Sequence, residues 1–259
     1  MDLVSHLVTF VGYFLASVFS VWSLYAPIRA RLVPVFVLGG WLSQTWIYQM
    51  HAAGLVGISF EGIGLAFFIW LSALGYLFYW MIPPKYLHAP GDSRIIGSFL
   101  WPIIFVLWML QQIFLSQVTW VHCDKPWALL AEFIATGAEM SFMLSAVFAI
   151  MYIEKEREVK KKHAKIFYYQ LPALSASDQW NTRFMVAGVI LGIGAFIVME
   201  ICGRHPALWT QLEGIGIIAV AYLIFVVLRH YAGWNGHRWA IFSILGFVVL
   251  MANFLTPAL

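Results

Sequence analysis

The side chains able to do chemistry in this 259-residue chain are few, and they fall into two sets. The first is a set of carboxylates inside or beside apolar runs. Glu132 and Glu139 stand seven residues apart, two helical turns and nearly one face. Glu61, Glu200 and Glu213 stand at the margins of other apolar runs, and apart from Arg183 at the far end of the Glu200 run no lysine or arginine shares those runs with them. An ionisable group within a bilayer is costly and marks a functional position by default. Such acids can carry a proton, or sit beside a cofactor or a quinone headgroup. The plainer alternative for Glu139 is a neutral carboxylic acid in one interhelical hydrogen bond, which loss of water favours. For Glu61, Glu200 and Glu213 it is a headgroup or helix-cap contact. The second set is the imidazoles of His6, His51, His122 and His205, each beside the end of a different apolar run. Imidazole is the usual axial ligand of b-type haem.

The elements that must position these groups follow from composition. The chain is 62% hydrophobic, 17% aromatic and only 10% charged. A soluble domain carries about 25% charged residues. So little charge excludes a water-soluble globule and a disordered chain, and two cysteines exclude a disulfide-built scaffold. The apolar residues come in eight runs of about 20, the length that ~30 Å of hydrocarbon demands. These runs predict helices over 3–25, 32–50, 60–82, 96–120, 127–153, 183–202, 208–228 and 238–256. The expected fold is all-α, a polytopic transmembrane bundle forming a single domain over 1–259. The first run has no basic leader and no small-residue cleavage site, so a retained helix is expected.

Basic residues sort between the two sets of loops. Thirteen of the fifteen lie after the first, third, fifth and seventh runs, and only Lys125 and Arg204 lie on the other side. The positive-inside rule makes the first set cytoplasmic, which puts both termini on the outer side. The net charge of +3 reflects this asymmetry and points to anionic headgroups, with no nucleic-acid partner. The cytoplasmic connection 154–182 is the one sizeable soluble piece. Its first half reads as a continuation of the fifth helix. Its second half holds Leu171-Pro172, then Ser175, Ser177 and Asp178, which read as caps for the return into the sixth.

With sides assigned, His6, His51, His122 and His205 all fall at the outer face. They can serve as two axial pairs or as one bis-histidine haem site, and each alone also reads as an ordinary interface residue. Ten of the tryptophans (22, 46, 80, 101, 120, 127, 180, 209, 234 and 239) lie towards the ends of runs, as an interfacial aromatic belt requires. Trp46, Trp120, Trp127 and Trp209 can alternatively wall a planar cofactor. Cys123 and Cys202 share the outer side, where a disulfide is permitted, and spacing alone leaves their pairing open. H-E-x-x-H, C-x-x-C, a Walker loop and a dinucleotide fingerprint are all absent, which excludes the chemistry each would signal. Gly188, Gly192 and Gly194 have the spacing of close helix packing.

Three segments carry a family resemblance. Leu171-Pro172-x-Leu174-x-x-x-Asp178-x-x-Asn181-x-Arg183 resembles the approach to a late transmembrane helix in the cytochrome c assembly family. Gly233-Trp234-Asn235-Gly236-His237-Arg238, followed by Ile244-Leu245-Gly246-Phe247, is similar to that family's Gly-Trp-x-Gly-x-Arg approach to its last helix. Gly54 through Phe60-Glu61 to Trp70 is similar to the loop and helix that carry its glutamate. The resemblance spans about 54–257. It implies a haem-handling or haem-binding protein of c-type cytochrome biogenesis in the bacterial cytoplasmic (inner) membrane, without catalytic turnover of its own. Haem b and other membrane or periplasmic cytochrome-related proteins are the implied partners. His122 and His205 are the first candidates for the iron, His6 and His51 the next, with Trp209 and Glu213 beside them.

The chain also departs from the family. It lacks a Trp-rich haem-presenting loop, and Trp209-Thr210-Gln211-Leu212-Glu213 stands where relatives commonly read Trp-Asp-Pro-Lys-Glu. The family's helix-5 histidine falls on Ala131, its helix-2 histidine near Gly40 or Trp41, and Glu139 takes a place often held by tyrosine. The alternative reading is a membrane subunit of a redox complex that meets quinone or carries protons through Glu132 and Glu139.

Overall fold

The computed structural model describes residues 2–25, 31–52, 63–81, 93–114, 126–161, 171–202, 206–232 and 236–255. Eight helices and no strand occur among them. In chain order these are α1 Asp2–Trp22, α2 Val33–Ala52, α3 Ile63–Met81, α4 Ser93–Phe114, α5 Pro126–Lys161, α6 Leu174–Cys202, α7 Pro206–Ala232 and α8 Gly236–Leu255. Proline opens α5 and α7, where its missing N–H is an orphan of the first turn in any case. Pro102 lies inside α4 and leaves the Ser98 carbonyl without its usual amide donor.

One boundary bears out the sequence reading and another differs from it. The fifth helix runs on to Lys161, as its charged extension predicts. At 36 residues and 1.5 Å each it is longer than ~30 Å of hydrocarbon, so its charged last turns project beyond the apolar part. The sixth helix begins at Leu174, about two and a half turns before 183. Ser175, Ser177 and Asp178 therefore lie within its first turns rather than outside it. Asp178 is held there by a cation on a neighbouring helix, as described below.

The chain divides into two compact units, residues 1–122 with 169–171, and 123–168 with 172–259. In the first, sequential helices pack as a ring, α1 on α2, α2 on α3, α3 on α4, and α4 back on α1. Gly12 and Gly40 let α1 and α2 approach closely, since a Cβ on Gly12 would stand 2.9 Å from the Gly40 Cα. Tyr13, on the same turn as Gly12, donates to Gln44 Oε1 at 2.5 Å, and Gln44 Nε2 donates to the Ala66 carbonyl of α3. Trp70 Nε1 donates to Thr45 Oγ1 at 2.8 Å. Trp101 of α4 is fully buried against the rings of Tyr13 and Tyr76.

The second unit repeats the plan with α5, α6, α7 and α8, and α8 closes back on α5. Gly188 lies under the Phe142 ring, and a Cβ on Gly192 would stand 3.0 Å from the Ala219 Cβ. These are the close approaches that small residues at four-residue spacing predict. Phe142 stacks on Tyr222, with ring centroids 4.6 Å apart.

Several polar side chains of the helices face inward, and many large apolar ones lie on the outside. Ser145, Asn181 and Ser243 are buried, whereas Val35, Ile190, Ile201, Ile217 and Val248 are more than half exposed. Four helices are long and apolar enough to cross a membrane, over Val4–Trp22, Ile95–Ile113, Leu130–Lys161 and Leu174–Ile201. The other four contain shorter apolar stretches. An apolar exterior over a polar-seamed interior is the arrangement lipid requires. The chain is a helical membrane protein.

Candidate functional site

Two groups of polar side chains are built into the second unit. One joins the segments that carry the family resemblance. Asn181 of α6 is 1% exposed, and its Oδ1 accepts from Ser145 of α5 at 2.6 Å and from Ser243 of α8 at 2.8 Å. Tyr222 of α7 donates to the Ser243 carbonyl at 2.9 Å, so all four helices of the ring meet at this level. Tyr222 fits because residue 246 is glycine; any side chain there would collide with its hydroxyl.

Towards the other end of α7, Arg229 donates from Nη2 to Asp178 Oδ2 at 2.5 Å and from Nη1 to Thr182 Oγ1 at 2.8 Å. Its guanidinium carbon lies 4.8 Å from the centre of the fully buried Trp239 ring. In the last turns of α5, Glu156 receives His237 Nδ1 at 2.6 Å and Lys160 at 2.7 Å. The hydrogen bond from Lys160, opposed by partial burial and reinforced by His237, holds the Glu156 carboxyl below its ordinary range.

The other group is a stripe on α5. Glu132 is 5% exposed, Thr136 fully buried and Glu139 2% exposed. At spacings of four and three they lie along one face. Glu139 Oε2 and Thr136 Oγ1 have no hydrogen-bond partner among the described residues. Thr9, Thr45, Ser141 and Thr182 each bond the carbonyl four residues earlier in their own helix, and Thr136 does not. Its hydroxyl is thus left free for something other than its own backbone.

The sequence-derived haem candidates are less fully placed. His6 lies in the second turn of α1, partly buried, and its Nδ1 is enclosed without a hydrogen-bond partner. Ser43 of α2 donates to the carbonyl of the preceding Ser5, so the start of α1 and the later half of α2 share one end of the first unit. His51 is in the last turn of α2 at that end, though its side chain lies outside the described residues. Trp209 and Glu213 fall in the first turns of α7, likewise with undescribed side chains. His122, His205, Glu61, Trp120 and Cys123 lie outside the described residues, and Cys202 ends α6 with its side chain undescribed. Glu200 is exposed near the end of α6. No group of three or more His, Cys, Asp or Glu side chains placed to hold a metal ion occurs among the described residues.

The tryptophan reading divides. Trp22, Trp46, Trp80 and Trp127 are exposed near helix ends, as a belt requires. Trp101 and Trp239 are fully buried and belong to the core, so position near a run end misassigned them. The residues that sequence reasoning missed are Ser145, Ser243, Tyr13 and Gln44. A serine in an apolar helix gives no sign of whether it caps its own backbone or reaches a neighbour. No family model, no curated protein and no solved structure matches this chain.

Proposed function

We propose that the protein is an integral, multi-pass haem-handling or haem-binding protein of c-type cytochrome biogenesis, without turnover of its own. The single observation that carries this reading is the meeting of its two most family-like segments. Asn181, from the segment that begins at Leu171, bonds Ser243, which directly precedes Ile244-Leu245-Gly246-Phe247. Asp178 of the first segment holds Arg229, whose guanidinium covers Trp239, just after Arg238 of the second. Segments that resemble one family in sequence are thereby parts of one packed unit, which supports the reading.

The enclosed, unpartnered ring nitrogen of His6 supports a ligand at the end of the first unit, because a buried imidazole nitrogen without a partner is costly unless something satisfies it. His122 and His205 are the proposed iron ligands, with His6 and His51 as the second pair and Trp209 and Glu213 beside them. Haem b would supply a planar iron centre for transfer or electron exchange, and the chain's part is to hold and orient it. The charge asymmetry supports a bacterial cytoplasmic membrane location with both termini outside. Other membrane or periplasmic cytochrome-related proteins are the proposed partners.

The test is the visible spectrum of the purified full chain after reduction, with haem supplied during expression. The expected result is a b-type Soret and α band that weakens or disappears in His122→Ala or His205→Ala. A folded protein that stays colourless with haem in excess removes this reading.

A further inference from the structure

We propose that Glu132, Thr136 and Glu139 form a proton-binding site on α5, which takes up and releases one proton within the membrane independently of haem. Three observations meet here. The two carboxyl groups are both nearly fully buried, two turns apart on one face of one helix. Glu139 presents an oxygen with no hydrogen-bond partner among the described residues. Thr136, between them on the same face, is fully buried and withholds its hydroxyl from the backbone carbonyl that Thr9, Thr45, Ser141 and Thr182 choose. Together they make a site with two exchangeable acids and a hydroxyl able either to donate or to accept.

Among the described residues, no basic group satisfies the acids from the elements packed against them. Between residues 130 and 153, α5 contains no lysine, arginine or histidine. The helices that pack on it are α6, α8 and, more lightly, α7. Residues 188–199 of α6, 214–228 of α7 and 239–252 of α8 hold one titratable side chain, Tyr222. The charged and imidazole groups of these helices stand near their ends, with Asp178, Arg183 and Glu200 on α6, Glu213, Arg229 and His230 on α7, and His237 and Arg238 on α8. A proton is the one cation that neutralises a carboxyl in such surroundings without a full coordination shell. In the exchange one O–H bond breaks at Glu139 and one forms at Glu132 or at water. No electrons move.

The experiment uses the full chain in liposomes and dicyclohexylcarbodiimide, an apolar reagent that couples to protonated carboxyl groups inside lipid, with the modified residue located by mass spectrometry. The expected result is label on Glu139 or Glu132 that declines as pH rises and is indifferent to added sodium or potassium. It disappears from position 139 in Glu139→Gln and is retained in Glu139→Asp. Thr136→Val keeps the label and moves the pH at which it declines. Label insensitive to pH would identify permanently neutral structural acids and overturn the proposal. Protection by sodium or potassium would replace the proton by a metal cation. No label at either position in protein that is folded by circular dichroism would mean that the acids do not exchange, and would also overturn it.

Discussion

Arg229 of α7 donates to Asp178 of α6 with 2.5 Å between Nη2 and Oδ2, each side chain about a quarter exposed. The pair lies at the polar end of the ring formed by α5 to α8, and it does more than balance charge. The same guanidinium holds Thr182 and covers the Trp239 ring, so one residue of α7 fixes the first turns of α6 against the start of α8.

Arg229→Ala removes two charge-assisted hydrogen bonds and a cation–π contact, and leaves Asp178 half-buried without its cation. The expected loss is about 2 kcal/mol of unfolding free energy. Arg229→Lys keeps the charge but loses the planar fork and its stacking, so its loss should be about half as large. Thermal unfolding of the purified variants in one detergent checks the order. Equal stability of the alanine variant and the parent would reduce this cluster to a surface ion pair.

Asn181 predicts a measurable coupling. Its Oδ1 is the acceptor for two buried hydroxyls, and Ser243 has a second acceptor in the Trp239 carbonyl at 3.2 Å. Ser145 has only Ser243 Oγ, at 3.5 Å. Asn181→Ala therefore strands Ser145 more than Ser243. A double-mutant cycle between Asn181→Ala and Ser145→Ala should give a coupling of about 1 kcal/mol, and the cycle with Ser243→Ala a smaller one. The reverse order would mean that the Asn181–Ser243 bond dominates the junction.

The eight helices were legible because lipid imposes one rule on every residue of a span: apolar length decides. The sixth helix escaped it over 174–182, since Ser175, Asp178 and Asn181 have the composition of a cap and turn. Asp178 and Asn181 are nonetheless helical because Arg229, Ser145 and Ser243 bond them from other helices, a tertiary effect absent from local sequence. Glu132 and Glu139 were legible for the opposite reason, as exceptions to the apolar rule. Thr136 was not, because a threonine normally returns its hydroxyl to its own helix and only the coordinates reveal one that does not. Trp101 and Trp239 were read as belt residues from position along the helix. Which way a ring turns around the helix depends on neighbours, and both turn inward.

Gly12 offers a test of the first unit alone. A methyl group there would meet the Gly40 backbone at 2.9 Å, and backbone cannot swing aside as a side chain can. Gly12→Ala should push α1 from α2, weaken the Tyr13–Gln44 hydrogen bond and cost about 1–3 kcal/mol. Gly39→Ala, one residue from the contact, has open space around its Cβ and should be neutral or slightly stabilising through helix propensity. The comparison by thermal unfolding needs no functional assay, and an equal response of the two would displace the close approach from Gly12.

Glu156 gives the fold a dependence on pH. It lies beyond the apolar part of α5, where Lys160 first and His237 second hold its carboxyl below the ordinary value of 4.5. A carboxyl with a lowered native value stays ionised in the folded protein at pH values where the unfolded chain has begun to bind the proton. Its contribution is therefore complete above the ordinary carboxylate range and is lost as pH falls through the lowered native value. Both partners are largely solvent-exposed, so the contribution is below about 1 kcal/mol. Glu156→Gln should be less stable than the parent at neutral pH, and the two should converge on acidification, with the difference shrinking in high salt. Unfolding curves of both proteins across that range decide it. A difference that persists unchanged to the acid limit would assign the effect of Glu156→Gln to packing of the side chain rather than to its charge.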